Sequence, residues 1–365
     1  MAKAIRDVYG EALVKYGKDN KDVVVLDADV SGSTKSATFG KACPDRFFNM
    51  GIAEANMTAV AAGMASVGKI PFVNTFAVFL STIGLLPARA LGSYSKLNIK
   101  MAGAYGGMSD AYDGPSHHAL EDIAVMRTLP NFKVFVPSDA TLTEWVVKNA
   151  IEDPSPMYIR LSRDVFPDVY QEGETFEEGK GKVVREGSDA TIIACGLMVG
   201  NSLKAAEELA KEGIQVRVVD MFCIKPLDKD LIVRCAKETG AIISAEEHNI
   251  LGGLGGAVAE DSQYFYSAYV AAAGTEQCTV HGEGGQIIDP DDPNGVEDPN
   301  GDPGGSGDEP GTGDSGGDSS GSSSQPGTDD PGTPGSSSSG TTDPMGNGSE
   351  GGVAINPETG RPYGY

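Results

Sequence analysis

The chain has 365 residues, 39% of them hydrophobic, and a formal charge of −24, which is length enough for two or three domains with cores of their own. The charge is uneven, since residues 261–365 hold one arginine against eighteen acids while the front is only mildly acidic. Neither part offers a basic face for nucleic acid, and no run of 18 apolar residues offers a membrane span.

In chain order, residues 4–17 carry apolar residues at helical period and stop at Gly17. Val23–Leu26 reads as a buried strand that ends in Asp27-Ala28-Asp29 and a polar loop, 31–34. Phe47-Phe48 begins a second strand, followed by a helix opening at Glu54 and crowded with Ala and Gly up to residue 65. Residues 70–74 form a third strand, and 78–95 a helix kinked at Pro87. Strands over 99–104 and 132–136 flank a Gly/Asp-rich loop and a helix over 119–129; a helix over 139–151 and a strand over 157–161 close the block. Strands alternating with helices at this spacing predict a parallel sheet covered on both faces.

An acidic, hinge-like stretch, 168–180, separates this block from a second βα pattern. Its strands are predicted at 190–194, 216–220 and 241–245, its helices at 199–212 and 228–238. The glycines of 251–257 do not open from a strand in the dinucleotide form, so a glycine-rich helix entry is the reading adopted. Beyond residue 289 the chain is Gly, Ser, Pro, Asp and Thr, a composition that predicts disorder. Asp298, Asn300 and Asp302 imitate half a calcium loop, but Pro303 stands where glycine is required. Asn347-Gly348-Ser349 is a formal sequon without meaning in the cytosol. Five cysteines without a C-x-x-C pair predict buried reduced thiols, and the first residues lack a cleavage signature, so a soluble cytoplasmic protein is expected.

In parallel sheets ligands bind beyond the carboxyl ends of the strands. Asp29, Ser33, Glu54, Phe76, Asp113, His117 and Arg163 all fall there. Glu54 stands out, because a carboxylate at the start of a small-residue helix sits at a packed junction. On its own, a capping or ion-pair role competes with a working acid; likewise two phenylalanines are more often core, and a lone histidine more often structural.

The set GIAEANM (51–57), TFAVF (75–79), DGPSHHALED (113–122), RLSR (160–163), IKPLD (224–228) and EEHNILGGLGGAV (246–258) resembles transketolase, in particular the carboxyl-side subunit of split transketolases. The resemblance covers about residues 1–260. It implies an α/β fold of two parallel-sheet βα domains: a thiamine diphosphate pyrimidine-binding domain over 1–167 and, after a linker over 168–180, a transketolase C-terminal-like domain over 181–260. That second domain would be incomplete, with an unrelated disordered tail over 261–365. It implies reversible transfer of a two-carbon ketol unit between sugar phosphates. Glu54 matches the glutamate that bonds the aminopyrimidine ring, Phe76 and Phe79 the aromatics against which the ring packs, and Asp29 a residue near the cofactor. His117 matches the histidine that exchanges protons with the sugar, and Asp113 the carboxylate that reads its hydroxyl stereochemistry. Arg6, Ser33 and Arg163 match the grip on the sugar phosphate; the residues alone would read both arginines as surface.

Two departures stand out. Tyr105 occupies the place of a second histidine found in many members, and Thr82 that of a third aromatic. The G-D-G…N motif that holds Mg²⁺ and the diphosphate is missing from the sequence, since Asn300-Gly301-Asp302-Pro303 lacks the second glycine. The resemblance therefore implies a partner subunit that carries that motif and most of the Mg²⁺ ligands, together with self-association. Other thiamine diphosphate enzymes (deoxyxylulose-phosphate synthase or a 2-oxo acid dehydrogenase beta subunit) and a silent pairing module are the competing readings.

Overall fold

The computed structural model describes residues 3–108, 112–165, 167–261 and 268–272. Helix α1 (Ile5–Gly17) leads into β1 (Val23–Asp27), followed by α2 (Ser31–Thr34), α3 (Ala37–Ala42), a 3-10 turn at Pro44–Arg46 and β2 (Phe47–Asn49). Next come α4 (Glu54–Ser66), β3 (Ile70–Phe76), α5 (Ala77–Thr82), α6 (Leu85–Pro87), a π-helical turn at Ala88–Ser93 and β4 (Lys100–Ala104). Then α7 (Asp122–Thr128), β5 (Lys133–Phe135), α8 (Ala140–Glu152) and β6 (Met157–Leu161) complete the first half. The second half runs β7 (Lys182–Arg185), β8 (Ala190–Ala194), α9 (Leu197–Lys211), β9 (Val216–Asp220), β10 (Cys223–Lys225), α10 (Lys229–Thr239), β11 (Ile242–Glu246), α11 (Leu254–Asp261) and β12 (Ala268–Ala272).

Two parallel-sheet βα domains result, as the sequence predicts. The first sheet has the order β10-β5-β6-β4-β3-β1-β2, and β1, β4 and β6 are buried along their whole length because helices cover both faces. The second has the order β12-β11-β8-β9-β7. One antiparallel strand edges each sheet, β10 against β5 and β7 against β9. Both escape a reading of periodicity, because three or four residues carry no period. Strand β12 adds a parallel neighbour to β11 beyond residue 260.

The predicted polar loop over 31–34 is instead the short helix α2. The Asp27 carboxylate curls it, accepting from the Val30 N–H and the Thr34 and Ser36 hydroxyls, each at 2.7 Å. The predicted helix over 78–95 is broken into three pieces. Ser81 and Thr82 turn their hydroxyls back onto the carbonyls of Ala77 and Val78, which weakens the helix just before Gly84.

The stretch 168–180 is pinned rather than hinge-like. Val169 and Tyr170 donate their N–H groups to Asp139 Oδ2 at 3.0 and 2.8 Å, and Phe176 packs among Trp145, Tyr170 and Phe222. Asp220, at the end of β9, completes the joint by accepting from the hydroxyls of Ser138 and Tyr170. One apolar core cluster spans both halves, with Val134, Val136, Ile193, Val219 and Met221 in it. Cys195, Cys223 and Cys235 are buried free thiols and Cys43 is half-buried. Burial pushes the Cys223 thiol up to about 12, as expected of an inert core cysteine. Cys278, the calcium-like stretch, the sequon and the acidic tail other than 268–272 lie outside the described residues.

The glycine cluster is a helix entry. The Glu246 carboxylate caps α11, accepting from Leu254 N at 2.6 Å and Gly255 N at 2.9 Å. A Cβ on Gly253 would stand 2.3 Å from Glu246 Oε2, so only glycine lets the carboxylate in. The helix end thus already holds an anion supplied by its own chain.

Candidate active site

The candidate residues gather at the carboxyl ends of β1, β2, β3, β4 and β6. Glu54 opens α4 and is 4% exposed. Among the described residues the hydrogen bond to its carboxyl comes from Thr75 Oγ1, 3.4 Å from Oε1, and no lysine or arginine pairs with it. The N-cap place belongs to Ala53, which makes no side-chain cap, and Glu54 stands one place inside it. The capping and ion-pair readings therefore find no support in its contacts. The helix is one-sided: Met57, Thr58, Ala61 and Ala62 face the core, while Ala55, Asn56 and Gly63 are exposed.

Thr75 is succeeded by Phe76, whose ring belongs to an aromatic group. Phe79 lies 6.1 Å away between centroids, Tyr105 stacks on Phe76 at 4.7 Å, and the His117 ring meets Phe76 and Phe79 edge-on at 5.7 and 5.2 Å. Two phenylalanines buried merely as core would not present a histidine edge between them; here Phe79 and His117 are only half-buried.

Tyr105 is the centre that sequence reasoning did not assign. It follows β4 with φ +61, a backbone conformation uncommon for a side chain of its size. Its hydroxyl accepts from Arg6 Nη1, and the guanidinium carbons of Arg6 and Arg163 lie 5.1 and 5.4 Å from its ring centroid. Arg6 Nη1 also reaches the Ser33 carbonyl at 3.4 Å, and Arg6 Nε is buried without a partner among the described residues. The outcome is two guanidinium groups on one ring, with an unspent buried donor, at the mouth of a parallel sheet. Such an arrangement suits a planar or tetrahedral anion. The signals available in the sequence were the departure at Tyr105 and its place after a strand; contact with Arg6, 99 positions earlier, is tertiary.

The structure brings Arg6, Ser33, Phe76, Phe79, His117 and Arg163 around Tyr105, and places Glu54 beside the strand that carries Phe76. Asp113 is exposed on the turn before His117, whose Nδ1 lies 3.0 Å from Ser116 Oγ. Asp29 is exposed at the end of β1 with φ +65, accepting from Asn49 Nδ2 at 2.7 Å. Beneath them, Asp27 fixes the segment that carries Ser33. Burial pushes its pKa above the ordinary carboxylate range, against hydrogen bonds from Ser36, Thr34 and Val30 that lower it.

The site is supported from below by a buried ion pair. Arg160, wholly buried in β6, donates to Asp122 Oδ2 at 2.8 Å, and Tyr158 adds a hydroxyl to the same oxygen at 2.7 Å. Burial alone would lower the guanidinium pKa, but Asp122 outweighs it and holds the group firmly charged.

Comparison with known proteins bears on this geometry. The pyrimidine-binding domain of transketolase matches residues 1–168, and the transketolase C-terminal domain matches 179–286, a span running past residue 260. A chain of Methanocaldococcus jannaschii, provisionally named a transketolase C-terminal section, is 44% identical over 260 residues, covering 71% of this chain and 81% of its own. A 6-deoxy-6-sulfo-D-fructose transketolase subunit of a Clostridium species is 38% identical over 70% of this chain and 80% of its own. A solved structure described as a split-gene transketolase, an inactive beta4 tetramer, superposes with TM-score 0.68 at 48% identity, covering 74% of this chain and 90% of that one.

Proposed function

We propose that this chain, which belongs to the transketolase family, supplies the pyrimidine- and sugar-binding half of a cytoplasmic enzyme that moves a two-carbon ketol unit between a ketose phosphate and an aldose phosphate. The observation that carries the reading is Glu54: a desolvated carboxyl with, among the described residues, one weak hydroxyl partner and no cation, next to a half-open aromatic group. A buried acid left so poorly satisfied is costly unless a ligand completes it. The ring nitrogen of an aminopyrimidine would do so, with Phe76 and Phe79 against the ring face.

When bound, thiamine diphosphate supplies a nucleophilic carbon and an electron sink for breaking the sugar's carbon–carbon bond. Glu54 holds or donates a proton at the pyrimidine nitrogen. His117, with its ring edge-on to both phenylalanines, moves protons to and from the sugar hydroxyls. Asp113 reads hydroxyl stereochemistry from the same turn, and Asp29 stands near the cofactor. Arg6, Ser33 and Arg163 hold the far, anionic end of the sugar, a feature with less use for a 2-oxo acid. Mg²⁺ and the diphosphate fall to a second polypeptide with the G-D-G…N motif, since this sequence lacks it. The exposed small-residue face of α4 is open to such a partner or to a second copy of this chain.

The test is reconstitution. The chain alone is expected to be inactive, and mixing it with a G-D-G-bearing subunit, Mg²⁺ and thiamine diphosphate is expected to restore ketol transfer. Glu54→Ala in that assembly should lose about a hundredfold or more in turnover with the fold intact. Turnover near wild type in that variant would refute the role given to Glu54.

A further inference from the structure

The residues around Tyr105 all precede the second domain, yet that domain holds both ends of the loop that carries Tyr105 and His117. Glu247, just after β11, is 4% exposed. Burial pushes its pKa up, opposed by the Arg160 charge and by the nearby backbone N–H of Met108. Its side chain lies so close to Gly107, which has φ +84, that a Cβ there would come within 2.7 Å of Glu247 Cβ and 3.0 Å of Oε1. The entry to the loop is thereby pressed onto one carboxylate.

The exit is held by the same short segment. The Glu247 carbonyl accepts from Arg160 Nη2 at 2.7 Å, and that nitrogen also donates to the Ala119 carbonyl at 3.0 Å. Asn249 donates its backbone N–H and its Nδ2 to the Leu120 carbonyl at 2.9 and 2.6 Å. His248 Nε2 accepts from Ala124 N at 3.3 Å. Gly107 N then joins entry to exit through the Ala119 carbonyl at 2.9 Å. Three consecutive residues of the second domain therefore grip both stems of a loop that belongs to the first. A desolvated carboxylate is an expensive group to set beside one N–H; it also packs the turn tightly enough to fix a neighbour two residues away, Tyr105, in its left-handed conformation.

We propose that Glu247 is a positioning residue for the sugar, setting from the second domain the turn at Gly106–Met108 and through it Tyr105 and His117. This rests on the reading of that loop as the sugar's site. The experiment compares Glu247→Ala and Glu247→Gln in the full chain, assembled with the diphosphate-binding subunit. Alanine should raise KM for the ketose phosphate about tenfold, while the thiamine diphosphate concentration needed for half activity stays within about twofold, because β3 and α5 are not gripped by this segment. Glutamine, which keeps the acceptor and the shape, should restore KM to within about threefold. In the isolated chain, amide exchange at 106–108 should quicken about tenfold in the alanine variant and recover in the glutamine one, with β4 unchanged. An unmoved KM in an active Glu247→Ala assembly would overturn the positioning role. So would cofactor affinity falling in step with KM, or exchange loosening along β4, since either marks general destabilisation. A wild-type assembly without ketol transfer would instead sink the functional reading, and the exchange result alone would then show whether Glu247 holds the turn.

Discussion

The buried acid at the joint between the two sheets makes a measurable claim about pH. Asp220 is wholly buried, its Oδ2 accepts from Ser138 and Tyr170, and its Oδ1 has no partner among the described residues. Burial pushes its pKa from 3.8 to about 7, with Asp139 adding to the rise and the two hydroxyls and Lys182 opposing it. The folded value lies above the unfolded one, so the favourable contribution is complete below the unfolded pKa and is lost as pH climbs through the folded one. A rise from 3.8 to about 7, at about 1.36 kcal/mol per pH unit, sets a ceiling of about 4 kcal/mol. Asp220→Asn removes the titration and keeps the shape. Its stability relative to wild type should therefore improve between about pH 4 and about pH 7 and stay level above that. Any cost of the new amide N–H group is the same at every pH and cancels from the comparison. Urea unfolding followed by Trp145 fluorescence reads this joint directly, because the chain's one tryptophan packs on Phe222, two residues past Asp220, at 5.9 Å. A wild-type-to-variant difference that stays flat between about pH 5 and about pH 8 would refute the reasoning.

Further expectations follow from the site and its supports. Arg163→Ala in the reconstituted enzyme should raise KM for phosphorylated sugars at least about tenfold and leave unphosphorylated ones nearly untouched; equal effects on both would remove the anion role. Tyr105→Phe keeps the ring stacked on Phe76 but drops the acceptor for Arg6, so steady-state kinetics should show a smaller rise, about threefold to tenfold, in the same KM. Asp122→Ala strands the buried Arg160 guanidinium and should cost about 3–5 kcal/mol in chemical denaturation, far above the usual surface substitution. Gly253→Ala should displace Glu246 from the start of α11 and lower the unfolding midpoint of the second domain, seen by calorimetry as a loss of about 1–3 kcal/mol.

Much of the architecture could be read from the chain because β1, β3, β4 and β6 are built mainly of apolar residues, as strands covered on both faces are. Glu54 was conspicuous for a similar reason, as a single acid at the head of an Ala-rich helix. The edge strands β7 and β10 were illegible, since what makes them strands is a neighbour far away in sequence. The same holds for Asp27, whose partners are hydroxyls seven and nine positions on, and for the break after Thr82, which depends on hydroxyls turning back onto the helix. Ser33 and Arg163 were legible by place, just after predicted strands, but their role at the sugar phosphate, and Arg6 altogether, entered only through family resemblance. Tyr105 showed as a departure from the family pattern, but its partnership with Arg6, 99 positions earlier, is a tertiary contact that no local pattern announces.

Strand β10 has a consequence for how such a protein can be rebuilt. The polypeptide leaves the smaller sheet after β9, spends three residues sealing the rim of the larger one beside Val134 and Phe135, and returns to make α10. Exchanging the later half for an unrelated module would uncover that rim and leave unpaired amides and carbonyls ready to template aggregation. The two halves thus fold as a pair, and any graft has to bring its own edge with it.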